Sequence, residues 1–225
     1  MKKRYAFLWR CLFYVTGVIC MAVGLTLNTK TQFGVGAVAS IAYAGSLVWG
    51  LDYGRLTFVV YVVAILLQLL LKKENWHWRI CLQLPFSAVF SALLTAFGKY
   101  IRISPDTVWQ RIFVLFAAIG FTAFGLLLMV DMKLITNPAD ALADTVGSLL
   151  RRDVGFGKNV IDAISVILAC AIGLAAAGKV VGIGLGTVVT MLLTGRMVSF
   201  FRSHLEQKIQ ALAGISTSQA QTHKN

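Results

Sequence analysis

Two aspartates, Asp140 and Asp144, stand four residues apart inside an apolar stretch, directly after Asn137-Pro138. That spacing puts both carboxylates on one face of a helix. Proline suits a first helical position, so Asp140 falls in the first turn, where the helix dipole favours negative charge. An ionisable group in a membrane segment costs at least about 2.5–3.5 kcal/mol at the bilayer centre, which makes it a functional candidate by default. The chemistry open to this pair is binding of a cation, a proton or a cationic solute in a protein-lined cavity. The competing reading is that both carboxylates cap the helix and neutralise Arg151, Arg152 or Lys158. Asp162, four residues after Lys158, either pairs with that lysine or faces the same cavity as Asp144. Asp131 and Lys133 end a long apolar run and are read as interfacial.

A second set is small and polar. Gly182, Gly184, Gly186 and Thr187 open the last apolar run. They either form a close-packing face with the G-x-x-x-G pair Gly182–Gly186, as Ala169–Gly173–Ala177 does on the preceding run, or stay unwound and offer backbone groups to a solute. With Ser40 and Tyr43 from an earlier short segment, the candidate solute- or ion-binding residues are Asn137, Asp140, Asp144, Asp162, Ser40, Tyr43, Gly184 and Thr187. Catalytic chemistry is not expected. No Ser–His–Asp set, H-E-x-x-H, Walker loop or dinucleotide fingerprint is present, and His77, His204 and His223 lie in polar breaks or the tail. Cys11, Cys20, Cys81 and Cys170 stand singly, without metal-knuckle or C-x-x-C spacing. The chain is therefore read as a non-enzyme without cofactor or metal.

These groups have to be positioned by membrane helices. Of 225 residues, 58% are hydrophobic and 13% charged, with a mean hydropathy of +0.77, where a soluble domain carries roughly 25% charged residues. Apolar runs lie at 7–27, 33–50, 56–72, 80–98, 110–130, 137–150, 157–177 and 181–201, and several approach the roughly 20 residues needed to cross a bilayer. The net charge of +12 comes from Lys and Arg at the ends of these runs, the distribution that sets topology, and not from a nucleic-acid-binding face. Trp9, Trp49, Trp76, Trp78 and Trp109 fall near run ends as an interfacial belt. The N-terminal run is too long for a signal peptide and is read as an uncleaved first span. The expected setting is a bacterial inner membrane, multi-pass, with both termini cytoplasmic.

An internal repeat organises the chain. Ala37, Ala39, Gly45, Ser46 and Leu47 align with Ala139, Ala141, Gly147, Ser148 and Leu149. Ala22-x-Gly24-Leu25 aligns with Ala123-x-Gly125-Leu126, Gly54-Arg55 with Gly157-Lys158, and Leu93-Leu94-Thr95 with Leu192-Leu193-Thr194. The offset stays at about 100 residues throughout, the signature of two homologous halves. The domains are 1–102 and 103–205, followed by a cytoplasmic tail, 206–225, disordered at its end, although 202–213 can continue the last helix. The fold class is all-α polytopic, each half having three long transmembrane helices and one short one. The segment 137–150 would span only about 21 Å at 1.5 Å per residue, against a hydrocarbon core of roughly 30 Å, so length favours a re-entrant helix and antiparallel halves. The alternative is four spans per half in parallel. Counting basic residues does not choose: the first arrangement puts Lys30, Arg55, Lys99, Arg102, Arg111 and Lys179 outside, the second Lys30, Lys72, Lys73, Arg79, Lys133 and Lys179. The first places 74–78 in the cytoplasm and 103–108 outside, and the second reverses both.

The stretches SIAYAGSLVWGLDYGRLTF, QLPFSAVF, NPADALADTVG, FGKNVIDAISV and GIGLGTVVTMLLTGRMVSFF resemble the bacterial membrane-protein family named after YczE, YyaS and YitT, from about Arg10 to Phe201. The resemblance implies an inner-membrane protein with five to six or more spans and no settled activity. Asn137-Pro138-Ala139 is not an aquaporin signature, since the other half has Val35-Gly36-Ala37. The function expected is a secondary transporter or permease of an unknown small solute, cation or proton, its site lying between the halves near 36–46 and 137–147. The alternatives are a non-transporting accessory, chaperone or regulatory membrane protein, or the substrate-binding subunit of a larger uptake complex. Its partners are the lipid bilayer and that solute, not nucleic acid, with a homo-oligomer or a cytoplasmic partner left open.

Overall fold

Each of the eight apolar runs folds as a helix. The computed structural model describes residues 2–71 and 79–214, so the 74–78 segment lies outside the described residues. The elements are α1 (Lys2–Lys30), α2 (Ala37–Trp49), α3 (Tyr53–Leu71), α4 (Arg79–Tyr100), α5 (Val108–Met132), α6 (Pro138–Leu149), α7 (Val154–Ala177) and α8 (Leu185–Leu212), with no strand among the described residues. The protein is a helical polytopic membrane protein. Five helices combine the length and composition needed to cross a bilayer: α1, α3, α4, α5 and α7.

The sixth long helix, α8, departs from expectation. Its 28 residues are long enough, but its apolar part is shorter than 181–201 and contains Arg196. The reason is local. Gly182 has φ +76° and Gly184 is extended at the N-cap, so both precede the helix, and the Gly182–Gly186 pair does not form a helical face. Backbone bonds hold this strip against the α1–α2 loop: Val35 N–H donates to Gly182 O at 3.2 Å and Gly186 N–H to Phe33 O at 2.8 Å. Two non-helical segments thus satisfy each other inside the bundle, where lipid would leave their polar groups unmet.

Side-chain contacts fix how the helices run. Lys30 Nζ donates to Gly98 O at 3.3 Å, and Gly54 of α3 packs on Ser91 and Thr95 of α4. The end of α1, the start of α3 and the end of α4 therefore share one end of the bundle, and α2 enters and leaves there. Towards the other end, Tyr14 hydroxyl, midway along α1, donates to Ile135 O at 3.0 Å, Gly157 of α7 packs on Ala143 and Gly147 of α6, and Gly214 after α8 packs on Ala6. So α6 enters and leaves at the end that carries the start of α1 and the end of α8. The two short helices thus enter the bundle from opposite ends. Their first residues are buried (Ala37, Ser40, Pro138, Ala139) and their last, Trp49 and Leu149, are exposed.

The central seam is α1 on α5. At this crossing a methyl on Gly24 would lie 2.6 Å from Thr122 N, and one on Gly125 would lie 2.5 Å from Met21 N and 2.6 Å from Gly17 O. Only hydrogen permits this approach of backbones, the small-residue packing that lets membrane helices associate. Around the seam, α1 packs on α4 and α5 on α8; α2 packs on α3 and α7, and α6 on α7 and α3. The core between them contains Tyr61, Phe86, Phe90, Leu94, Leu127 and Leu128.

If both short helices turn back, their flanks share a face. In a background without the four native cysteines, Gln32→Cys and Leu51→Cys should react with an impermeant thiol reagent from one side of sealed vesicles. Lys133→Cys and Arg152→Cys should react from the other side. Reaction of Lys133→Cys and Arg152→Cys from opposite sides would show that α6 crosses.

Candidate functional site

A cluster of buried polar side chains surrounds the start of α6. Asn137 caps that helix: its Oδ1 accepts from Ala139 N–H at 2.9 Å while its Nδ2 donates to Tyr61 hydroxyl at 3.0 Å. Proline at the first helical position removes one amide that would otherwise need a partner there. The Pro138 carbonyl accepts from Gln68 Nε2 at 3.1 Å. Gln68 also exchanges amide bonds with Gln83, at 3.1 and 3.2 Å. Asn137, Gln68, Gln83 and Tyr61 are all buried. A network of this kind in a membrane core ties down an irregular junction that would otherwise leave backbone groups unsatisfied.

One turn further on, Lys158 lies between two carboxylates, its Nζ 3.7 Å from Asp140 Oδ1 and 3.8 Å from Asp162 Oδ1. The side chain of Asp162 is 9% exposed, that of Asp140 30% and that of Lys158 51%. Two carboxylates share one ammonium, so the triad carries a formal charge of about −1 with both acids ionised. The i,i+4 pair expected from sequence is present, and Asp140 joins it. Asp144, half-buried, lies one turn beyond Asp140 on α6. A cavity of about 230 Å³ opens beside the group, lined by Gln83, Lys133, Thr136, Asn137 and Asp140 with the apolar Leu126 and Met129.

Ser40, Tyr43, Gly184 and Thr187 belong to a different place. Tyr43 hydroxyl donates to Thr29 O at 2.9 Å, and Ser40 hydroxyl to Ala37 O within its own helix at 2.5 Å. Thr187 Oγ1 accepts from Gly184 N–H at 3.3 Å. Nearby, Asn28 Nδ2 donates to Thr190 Oγ1 at 3.4 Å, while its buried Oδ1 has no hydrogen-bond partner among the described residues. A cavity of about 370 Å³ opens at this end, bordered by Lys30, Gln32, Tyr43, Ser104 and Gly182. The eight candidate residues therefore divide into two groups, one at the buried end of each short helix, and do not converge on a single site.

A family model for a family of unknown function, DUF6198, matches residues 8–203. The chain belongs to that family. The matched span takes in both short helices and both polar groups, so the arrangement described here lies within the DUF6198 region and not in an appended segment. No curated protein and no solved structure matches the chain, and the match to DUF6198 lends no support to the YczE/YyaS/YitT name.

Sequence reasoning on this DUF6198 chain missed Tyr61, Gln68 and Gln83. Their signal was available, since two glutamines inside apolar runs are as costly to leave unpaired as any polar group in hydrocarbon. It also missed the partner of Asp131, which is 7% exposed and pairs with Arg202 at 3.3 Å, because α8 runs beyond Phe201 alongside the end of α5 and carries that arginine to it.

Proposed function

We propose that the protein is a secondary permease of a small solute, operating between two homologous halves of opposite orientation in a bacterial inner membrane, with both termini in the cytoplasm. The observation that carries this reading is the pair of short helices entering from opposite ends, each with a buried N-terminus and a cavity beside it. Broken helices that end near the middle of the bilayer are how transporters place polar backbone at a solute site. Further support comes from partial exchange symmetry in the packing. Swapping the halves turns the α1–α4, α2–α3 and α2–α7 contacts into α5–α8, α6–α7 and α6–α3, all of which occur, although the close α3–α4 packing has no equal between α7 and α8. The basic residues Lys2, Lys3, Arg4, Arg10, Arg202 and Lys208 flank the segments that end at one face, which favours that face as cytoplasmic.

Within this reading the triad of Asp140, Lys158 and Asp162 is the coupling element, taking up one proton or monovalent cation as the solute site is loaded. Its surplus negative charge sits in a partly desolvated place where a single added positive charge is stabilised more than in water. The test is a panel of small solutes offered to proteoliposomes under an imposed proton gradient. Wild type should accumulate at least one of them, and the Asp140→Asn/Asp144→Asn/Asp162→Asn variant should not, at equal reconstitution. Equal uptake by the variant would overturn the role of the carboxylates. A stoichiometric partner on purification, with no flux for any solute, would favour the accessory reading.

A further inference from the structure

A third cavity lies outside both polar groups. It is an open trough of about 670 Å³ on the outer side of the α3–α4 pair. Its floor is a row of small residues, Ala88, Ala92 and Ala96, spaced four apart along α4, and Phe58 and Val59 of α3 form a wall. Gly54 packing directly on Ser91 and Thr95 draws the two helices together and leaves the trough on their lipid side. At one end stand two cations, Arg55 and Lys99, with Tyr100 beside them. The carboxylate nearby, Asp52, accepts from Thr95 hydroxyl and from the backbone N–H of Arg55, and among the described residues no ion pair to the side chain of Arg55 or Lys99 occurs. A third cation, Lys30, reaches the end of α4 at Gly98 O.

The dimensions match one leaflet. From Ala88 to Lys99 the helix rises about 16 Å at 1.5 Å per residue, about half of the roughly 30 Å hydrocarbon core. The cations and the aromatic Tyr100 then fall at headgroup depth and the alanine row at acyl-chain depth, the disposition of interfacial anchors. A water-soluble solute has no use for an open apolar trough facing lipid. We propose that the trough binds one anionic phospholipid, its phosphate on Arg55 and Lys99 and one acyl chain along Ala88, Ala92 and Ala96. The site is independent of the permease reading: it would hold a lipid whatever the polar groups do.

The full chain in detergent, titrated with phosphatidylglycerol and in parallel with phosphatidylcholine and followed by native mass spectrometry, tests this. One phosphatidylglycerol per chain should persist where phosphatidylcholine is lost. Neutralising both cations, Arg55→Gln/Lys99→Gln, should weaken retention about thirtyfold, the contribution expected of two basic residues at an anionic surface. Ala92→Trp leaves both cations in place and fills the trough. Because Ala92 is exposed, the ring enters the trough without disturbing the interior, and binding should be lost at an unchanged melting temperature. If Ala92→Trp fails to assemble, Ala88→Leu applies the same test. Equal retention of the two lipids, or phosphatidylglycerol binding that survives a filled trough, would overturn the proposal. So would a change from dimer to monomer in Ala92→Trp, which would make the trough a contact between two copies.

Discussion

Gly125→Val should be among the most damaging single substitutions in this protein, lowering stability by about 3 kcal/mol or more, the upper range for overpacking a site that has no room to relax. The first atoms a side chain meets there are Met21 N and Gly17 O, at 2.5 and 2.6 Å. Both are backbone atoms on the facing helix, so no rotamer change relieves the clash and α1 must move away from α5 as a body. That separation loosens the whole seam, because the Gly24 approach to Thr122 and Ala118 shares it. Membrane helices associate through close packing and not through exclusion from water, which leaves nothing to compensate. Gly98→Ala is the control. A methyl there meets nothing within 4 Å among the described residues, and alanine is favoured over glycine inside a helix by about 1 kcal/mol, so the melting temperature should hold or rise. Thermal unfolding of both variants in one detergent decides the point. A Gly125→Val protein as stable as wild type would mean that the crossing is looser than its geometry.

How much of this was legible in the sequence depended on whether the signal was local. The eight helices follow from runs of apolar residues, and the shortness of α6 is visible in the same pattern. The Lys158–Asp162 pair was legible because both partners lie one turn apart on a single helix. Gly24 and Gly125 were visible only as matching positions in the repeat; that they face each other across one crossing is a property of two segments far apart in the chain. The Gln68–Gln83 pair, its reach to Pro138 O and the Asp131–Arg202 pair are of the same kind. Composition marked each of these groups as expensive to bury, and only the packing of α3, α4 and α6, or of α5 and α8, supplies the partner. The start of α8 stayed open for a different reason: Gly182 and Gly184 fit a helical packing face or an unwound strip equally in sequence, and only the bonds to the α1–α2 loop select the second.

Lys158→Met should destabilise the protein by about 2 kcal/mol, and removing the two carboxylates as well should restore most of that loss. Taking one partner from a buried ion pair typically costs about 3–5 kcal/mol, because the charge left behind has no counter-ion, while replacing the whole set by neutral groups is often close to neutral. Here the lysine is half exposed, which reduces the penalty. It is shared by two acids, however, and its loss leaves two like charges facing one another. Lys158→Met/Asp140→Asn/Asp162→Asn should therefore melt within about 1 kcal/mol of wild type. If instead the triple variant is the less stable of the two, the three groups do not act as one unit and each ion pair is a local surface contact. The same pair of variants separates structure from function. A triad that only neutralises charge would leave solute uptake intact in the stable triple variant. A triad that takes up the coupling cation would leave a folded protein in which the imposed proton gradient drives no uptake.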